Sequence, residues 1–463
     1  MARINGGNKV LDNINYFSND RFGDFEIKIM NEFQSFISKK NILIYGFGKS
    51  GYASFKFLSK KNNCKIIDDN KKNIPYNLKK KIINHNQLKK NYFDFIVLSP
   101  GIDLNNCKIS KYLKENKSKI ISELDIFHLS YPKIKKITIT GTNGKSTTSK
   151  LLFDVLKQNN KDVRLTGNIG IPILLEKNIN INTIFVIEAS SYQLDYSKYF
   201  KSNYSIILNL YPNHLERHGN FKNYVKAKFK LIKNQTKSDF AFIEGKNKIL
   251  NQFIKRNKIE SKIQTVNFKK YMKYLKFINN SYFNNLTNIK NLSFVFAISK
   301  FLKVSSKKVI QTANKFKGLN YRQQLIYNSK KLTIINDSKS TSFSSTKILL
   351  ESFENIYWIL GGLAKKGDKL DLDKKYFEKI NAYIYGKDKY FFSNILSGKI
   401  KNKISKTLDE ALKLIFKDIL KSNNDKKIIL FSPSAASFDK FKNFEERGLY
   451  FNKIIKKYIK KIN

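Results

Sequence analysis

The run Thr140-Gly141-Thr142-Asn143-Gly144-Lys145-Ser146-Thr147 sets two glycines, a lysine and two hydroxyls side by side. Gly141 and Gly144 free a loop to turn its backbone N–H groups inward, and Lys145 can reach a β- or γ-phosphate. Ser146 or Thr147 can hold Mg²⁺, all at the start of a helix. The first glycine stands three residues before Gly144 rather than the five of the usual phosphate loop. Downstream, an apolar run ends at Glu188, and the next ends near Asn209, Asn213 and His214. A carboxylate and an imidazole at neighbouring strand ends are ligand chemistry for a divalent ion, although a lone histidine is more often a structural hydrogen-bonding residue. A third constellation, Gly46, Gly48 and Gly51, is followed about twenty residues on by Asp68 and Asp69, where a ribose or base is commonly held. A tight turn that packs helix on sheet without a ligand explains the same glycines.

Buried strands that alternate with amphipathic helices must position these groups. KKITIT leads into the phosphate loop, with a helical pattern after it, and TIFVIE and SIILNL supply the next two strand ends. Upstream, NILIY, CKII and FDFIVL alternate with helices over about 40–134 and end at Ser99-Pro100-Gly101. Beyond Lys317-Gly318-Leu319, LTIIN, IYWIL, NAYIYG and KIILF repeat the alternation, with polar residues at strand ends in Asn336-Asp337-Ser338-Lys339 and Ser432-Pro433-Ser434. The expected fold class is α/β with three domains: a Rossmann-like N-terminal domain, a central phosphate-loop ATPase-type parallel sheet, and a Rossmann-like C-terminal domain. The expected bounds are 30–134, 135–318 and 319–463. Residues 1–29 read as a disordered extension, with Met30 an alternative start of translation.

The 463 residues leave room for several cores, and a mean hydropathy of −0.43 without a long apolar run excludes a membrane span. The run MARINGGNKVLDNINYF lacks the apolar core of a secretory signal, so the cytoplasm is the expected compartment. Two cysteines, Cys64 and Cys107, exclude a disulfide framework. The net charge of +52 suggests a polyanion, yet only seven of the 88 basic residues are arginine and the lysines are scattered. Lysine rises together with Asn, Ile and Phe, whose codons are A/T-rich, so nucleotide bias explains the charge better than a nucleic-acid footprint.

Taken together, TGTNGKST (140–147), IEASSYQLD (187–195), NLYPNHLERH (209–218), NDSKSTS (336–342) and LGGLAKKGD (360–368) resemble the Mur ligases. These ATP-dependent enzymes add amino acids to the peptidoglycan precursor. The segment SPSAASFDKFKNFEERG (432–448) most resembles the members that add D-glutamate. The resemblance implies phosphoryl transfer from ATP to the carboxylate of a UDP-N-acetylmuramoyl-L-alanine acceptor, then attack by the amine of D-glutamate on the acyl phosphate. It further implies two Mg²⁺ ions and small-molecule partners only, with no nucleic acid, no membrane insertion and a monomeric chain.

By the same resemblance, Gly141, Thr142, Asn143, Gly144, Lys145, Ser146 and Thr147 bind ATP phosphates, and Asn288, Asn291, Arg322 and Asp337 the adenine and ribose. Ser146, Thr147, Glu188 and His214 are the implied metal ligands. Lys228 is the lysine that CO₂ would carbamylate, giving a further ligand. The catalytic group is Lys145, Glu188, His214 and Lys228. The uridine nucleotide falls to Gly46, Ser50, Asp68, Asp69, Ser99, Pro100 and Gly101, with Asn168 and Ser190 as further substrate contacts. D-Glutamate falls to Lys339, Thr341, Lys365, Ser437 and Phe444, cations suiting a dicarboxylate. The chain departs from the family pattern at Asn213, usually Asp; at Asn320-Tyr321, usually Pro-His; and at Thr287, usually His. The alternatives are another Mur ligase, a folylpolyglutamate synthase-like ligase, or, in a different class, a basic nucleic-acid-binding protein.

Overall fold

The computed structural model describes residues 37–70, 74–245, 248–365, 367–421 and 426–459. The extension expected over 1–29 and the alternative start at Met30 lie outside them. The chain divides into two compact units. One is the described part of Met1–Ile134 with Ile171–Ile179 and Tyr192–Lys201; the other is Lys135–Gly170, Asn180–Ser191 and Ser202–Asn463.

The first unit holds a four-stranded parallel sheet in the order β2-β1-β3-β4, from β1 (Asn41–Tyr45), β2 (Asn63–Ile67), β3 (Phe95–Leu98) and β4 (Ile120–Ile121). Ile42 to Tyr45 are completely buried. Such a continuous apolar run fits a parallel strand covered on both faces. The buried Asp125 ties the unit together: it accepts from Ser122 N and Oγ, from Ser197 Oγ, and from the backbone N–H groups of Lys198, Tyr199 and Phe200. A carboxylate answered by so many donors is stable without a cationic partner.

The second unit carries two six-stranded sheets. The first, all parallel, runs β10-β9-β8-β5-β7-β6, from β5 (Lys135–Thr140), β6 (Val163–Gly167), β7 (Ile184–Glu188), β8 (Tyr204–Ile207), β9 (Phe240–Glu244) and β10 (Lys262–Val266). The chain leaves β5 towards β7 and β6 on one side, then returns to β8 on the other. Their carboxyl ends therefore flank a switch in strand order, where open α/β sheets bind ligands. The helix Lys145–Lys157 presses Leu151, Leu152, Val155 and Leu156 into the core, against Leu292, Val295 and Ile298 of the helix Leu286–Phe301. That second helix is buried on all sides over 291–299, where apolar residues predominate.

The other sheet runs β11-β12-β16-β13-β14-β15, from β11 (Gln324–Asn328), β12 (Leu332–Asn336), β13 (Ile356–Gly361), β14 (Ile380–Tyr385), β15 (Lys401–Ile404) and β16 (Lys427–Phe431). Only β11 is antiparallel to its neighbour. Asp337, Gly362 and Ser432 follow directly on the ends of β12, β13 and β16, which lie side by side.

Candidate active site

At the end of β5 the chain turns through Gly141 (φ +148°) and Gly144 (φ +84°), backbone conformations open to glycine, before the helix Lys145–Lys157 starts. Asn209 clamps the turn: its Oδ1 accepts Asn143 N–H at 2.9 Å and its Nδ2 donates to Asn143 O at 3.0 Å. Thr142 Oγ1 lies 2.9 Å from Tyr224 Oη and accepts Tyr211 N–H at 3.0 Å. Lys145 Nζ folds back onto the loop, donating to Gly141 O at 3.0 Å and Thr142 O at 2.8 Å. Burial lowers its pKa, with Glu188 opposing and Arg322 adding to the effect. An ammonium satisfied only by backbone carbonyls is ready to exchange them for phosphate oxygens.

Glu188, 1% exposed, ends β7 beside this loop. Its Oε2 accepts Ser146 Oγ at 2.5 Å and its Oε1 accepts Asn168 Nδ2 at 2.8 Å. Thr147 points elsewhere, its Oγ1 3.3 Å from Tyr282 Oη. Lys228, on the helix Phe221–Lys233, is 2% exposed; its Nζ donates to Gly141 O at 2.8 Å and Thr140 Oγ1 at 3.2 Å. Burial drives its pKa well below the ordinary lysine range, Lys145 pushes the same way and Glu188 opposes. Burial thus favours the neutral amine over the ammonium.

His214 adopts a left-handed backbone (φ 56°) just before the short helix Leu215–His218. Burial, with Lys365 adding to it, lowers its pKa to about 4, against the pull of Glu216. The imidazole is therefore neutral at physiological pH, the form that ligates metals. Its Nδ1 lies 3.5 Å from Glu216 Oε1. Asn213, the departure from the family pattern, accepts Lys365 Nζ at 2.7 Å, and Glu216 lies 3.8 Å from the same ammonium. Among the described residues no three His, Cys, Asp or Glu side chains gather into a metal cage. A divalent ion at this mouth must therefore take hydroxyl, phosphate or water oxygens too, as Mg²⁺ usually does.

The groups expected at adenine and ribose line the other side of the loop. Asn291 is packed so close that a Cβ on Gly144 would stand 2.2 Å from its Oδ1. Asn288 Nδ2 donates to Tyr282 O at 2.8 Å and faces Gln323 Oε1 at 3.3 Å. Asp337 accepts Gln323 N–H and Ser432 Oγ, each at 3.0 Å, and burial raises its pKa to about 7. Arg322 and Lys339 both lie over the Phe444 ring, at 5.9 and 4.0 Å. Burial lowers Lys339 to about 8, Arg322 adds to the shift, and Glu188 opposes it. One buried carboxylate thus sits in the field of Lys145, Lys228 and Lys339, with Arg322 coupled to two of the three. Ser437 is buried and Thr341 exposed. The loop bearing Lys365 is pinned to the loop bearing Ser437 by paired backbone bonds between Leu363 and Ala436. Ser190, between β7 and the helix Ser191–Tyr196, is half-buried.

In the first unit, Gly46 (φ +88°) turns the chain at the end of β1, and a Cβ on Gly51 would overlap Gly46 O at 1.9 Å. Asp68 accepts Phe47 N–H, Asp69 accepts Tyr45 Oη at 3.0 Å, and Ser99 Oγ donates to Gly46 O at 2.7 Å. Ser50 donates to the buried Glu123, which also takes Gln193 Nε2 at 2.9 Å. Pro100 and Gly101 follow Ser99 at the surface. Expectation had gathered these residues without their partners. Glu123, Tyr282 and Gln323 carry no local sequence signal, whereas Gln193 lies inside the run IEASSYQLD and Asn209 just past a strand end, where both could be found.

A glycine loop over a helix start, a buried carboxylate against its first hydroxyl, and basic side chains converging on both define a phosphate-loop α/β protein built to handle a multiply charged anion. Residues 139–315 match the Mur ligase middle domain. Over 439 residues the chain is 34% identical to UDP-N-acetylmuramoylalanine-D-glutamate ligase of Rickettsia bellii, covering 89% of this chain and 96% of the relative. It is also 34% identical over 450 residues to the protein of that name from Elusimicrobium minutum, covering 90% and 98%. Among solved structures, MurF from Acinetobacter baumannii aligns with a TM-score of 0.55 at 17% identity, over 72% of this chain and 79% of that one. UDP-N-acetylmuramate-alanine ligase from Thermotoga maritima aligns with a TM-score of 0.53 at 17% identity, over 91% and 100%. Those structures share the fold. The chain belongs to the Mur ligase family.

Proposed function

We propose that this chain is an ATP-dependent ligase that joins D-glutamate to UDP-N-acetylmuramoyl-L-alanine, a cytoplasmic step of peptidoglycan precursor synthesis, and that it acts as a monomer. The observation that carries the reading is the Ser146–Glu188 pair on the phosphate loop, in the field of Lys145, Lys228 and Lys339. Two anions, a triphosphate and a carboxylate, must approach each other, and concentrated positive charge lowers that barrier. The acceptor carboxylate attacks the γ-phosphorus, ADP leaves, and an acyl phosphate remains. The D-glutamate amine then adds to the acyl carbon, gives up a proton, and the tetrahedral adduct expels phosphate to leave an amide.

Lys145 exchanges its loop carbonyls for β- and γ-phosphate oxygens, and the loop N–H groups hold the rest. Asn288, Asn291, Arg322 and Asp337 take the nucleoside. Lys339, Thr341, Lys365, Ser437 and Phe444 take D-glutamate, and the first unit's glycine turn, with Ser50, Asp68, Asp69 and Ser99 to Gly101, takes the uridine nucleotide. Ser146 with Glu188, and neutral His214 with a carbamylated Lys228, have the donor chemistry to hold Mg²⁺, which when bound offsets phosphate charge. Thr147, turned to Tyr282, would have to rotate to join them. Lys228 suits carbamylation because only a neutral amine attacks CO₂, and burial favours that form.

The test is phosphate release from ATP by the purified chain given UDP-N-acetylmuramoyl-L-alanine, with and without D-glutamate, beside Lys145→Ala. Release that needs both co-substrates and vanishes in the variant is the expected result. Release with a different amino acid overturns the substrate assignment, and no release overturns the activity.

A further inference from the structure

A file of buried hydroxyls runs inward from Asp337. Ser432 Oγ donates to Asp337 Oδ2 at 3.0 Å, and Thr346 Oγ1 lies 2.8 Å from Ser432 Oγ, 2.7 Å from Ser434 Oγ and 2.6 Å from Ser340 Oγ. Ser340 Oγ in turn lies 2.8 Å from Ser345 Oγ. Thr346, on the helix Phe343–Leu350, is fully buried, as are Ser432 and Ser434, and Ser340 is nearly so.

Each hydroxyl owns a single proton, and counting protons gives the file a direction. With Asp337 ionised, Ser432 spends its proton on the carboxylate and can only accept from Thr346. Thr346 has then spent its own and must accept from Ser340 and Ser434. Ser342 O at 3.4 Å and Ser345 Oγ, which itself donates to Ser342 O, are the other acceptors open to the Ser340 proton, so a carboxylate three hydrogen bonds away biases which of them it takes. On the far side, Asp337 Oδ1 accepts Gln323 N–H, and Gln323 Oε1 faces Asn288 Nδ2. Ser340 sits between Lys339 and Thr341.

Resting on the ligase reading above, we propose that Thr346 is a positioning residue that couples nucleotide binding at Asp337 to the conformation of Lys339–Ser342, the segment assigned to the incoming amino acid. Thr346 touches neither substrate. It acts by making the hydroxyl pattern at Ser340 depend on what Asp337 holds, so the amino-acid segment is ordered when nucleotide is present. Hydrogen-bond chains of this kind polarise one another in a low-dielectric interior.

The experiment is backbone hydrogen exchange of the full chain over residues 339–345, with and without ADP and Mg²⁺, in the wild type, Thr346→Val, Thr346→Ser and Ser340→Ala. ADP should slow exchange there about two- to tenfold in the wild type, the range one hydrogen bond accounts for. Thr346→Ser should keep that response, and Thr346→Val should lose it while still binding ADP. A purely structural threonine would raise exchange equally with and without ADP, leaving the ratio intact. That outcome overturns the proposal alone. Absence of ADP binding by the wild type, read by calorimetry, overturns the nucleotide reading and the proposal together. Should Thr346→Val not fold, Ser340→Ala reports from the far end of the file: loss of the ADP response supports the coupling, and an unchanged response refutes it.

Discussion

Replacing Gly144 by alanine isolates how the phosphate loop is built. The backbone there has φ +84°, which costs an L-residue about 1–2 kcal/mol. The new Cβ would stand 2.2 Å from Asn291 Oδ1 and 2.9 Å from its Cγ, well inside contact distance, and Asn291 is buried. Forcing such a side chain aside costs roughly a further 1–3 kcal/mol. Gly144→Ala should therefore destabilise the chain by about 2–5 kcal/mol. Asn291→Ala removes the obstacle, so in that background the same change should cost only the backbone share, about 1–2 kcal/mol. Gly398→Ala is the control: its φ is +69°, and nothing lies within 4 Å of the added Cβ. It too should cost about 1–2 kcal/mol. Urea unfolding measures all four stabilities, with calorimetry reporting ADP affinity alongside. If Gly144→Ala costs the same with and without Asn291, the steric argument is refuted. A cost no larger than that of Gly398→Ala refutes it equally.

Asn209→Ala removes both bonds that hold Asn143, and ADP affinity should fall about tenfold, the equivalent of ~1.4 kcal/mol, seen as a smaller ADP-induced rise in Tm. Asp125→Ala strands several buried donors of the first unit and should cost about 3–5 kcal/mol in chemical denaturation; a loss below ~1 kcal/mol would contradict the hub described for it. Asp337 titrates at about 7 in the fold against 3.8 ordinarily, so the folded state binds its proton more tightly than the unfolded chain. Its stabilising effect is complete below pH ~4 and is lost as pH rises towards ~7, on the order of 4 kcal/mol in all. Asp337→Asn should flatten that part of the stability-pH curve, and an unchanged slope would remove the carboxylate from the account.

The phosphate loop was readable because everything it needs is local. Gly141, Gly144 and Lys145 do their work within one turn, and the strand before and helix after are written in adjacent apolar periods. Glu188 at the end of β7 and His214 beyond the end of β8 were legible as positions one step further out, because apolar runs mark where parallel strands stop. Lys228 is the opposite case. In a chain with 81 lysines only its alignment with a family motif distinguished it, and its burial beside Gly141 comes from the packing of the helix Phe221–Lys233. Asn213 looked like a lost charge; in the fold it receives Lys365, and Glu216 stands close to both Lys365 and His214.

What the linear text settles is therefore the alternation of elements, the phosphate loop and the residue types at strand ends, because each depends on neighbours a few positions away. What packing adds is partnership over long separations: Ser146 with Glu188, Lys365 with Asn213, Ser432 with Asp337. Burial and charge proximity also shift the protonation of Lys228, His214 and Asp337. Both quantities depend on which side chains lie within a few ångströms, and in this chain those neighbours follow the ends of β5, β7, β8, β12, β13 and β16.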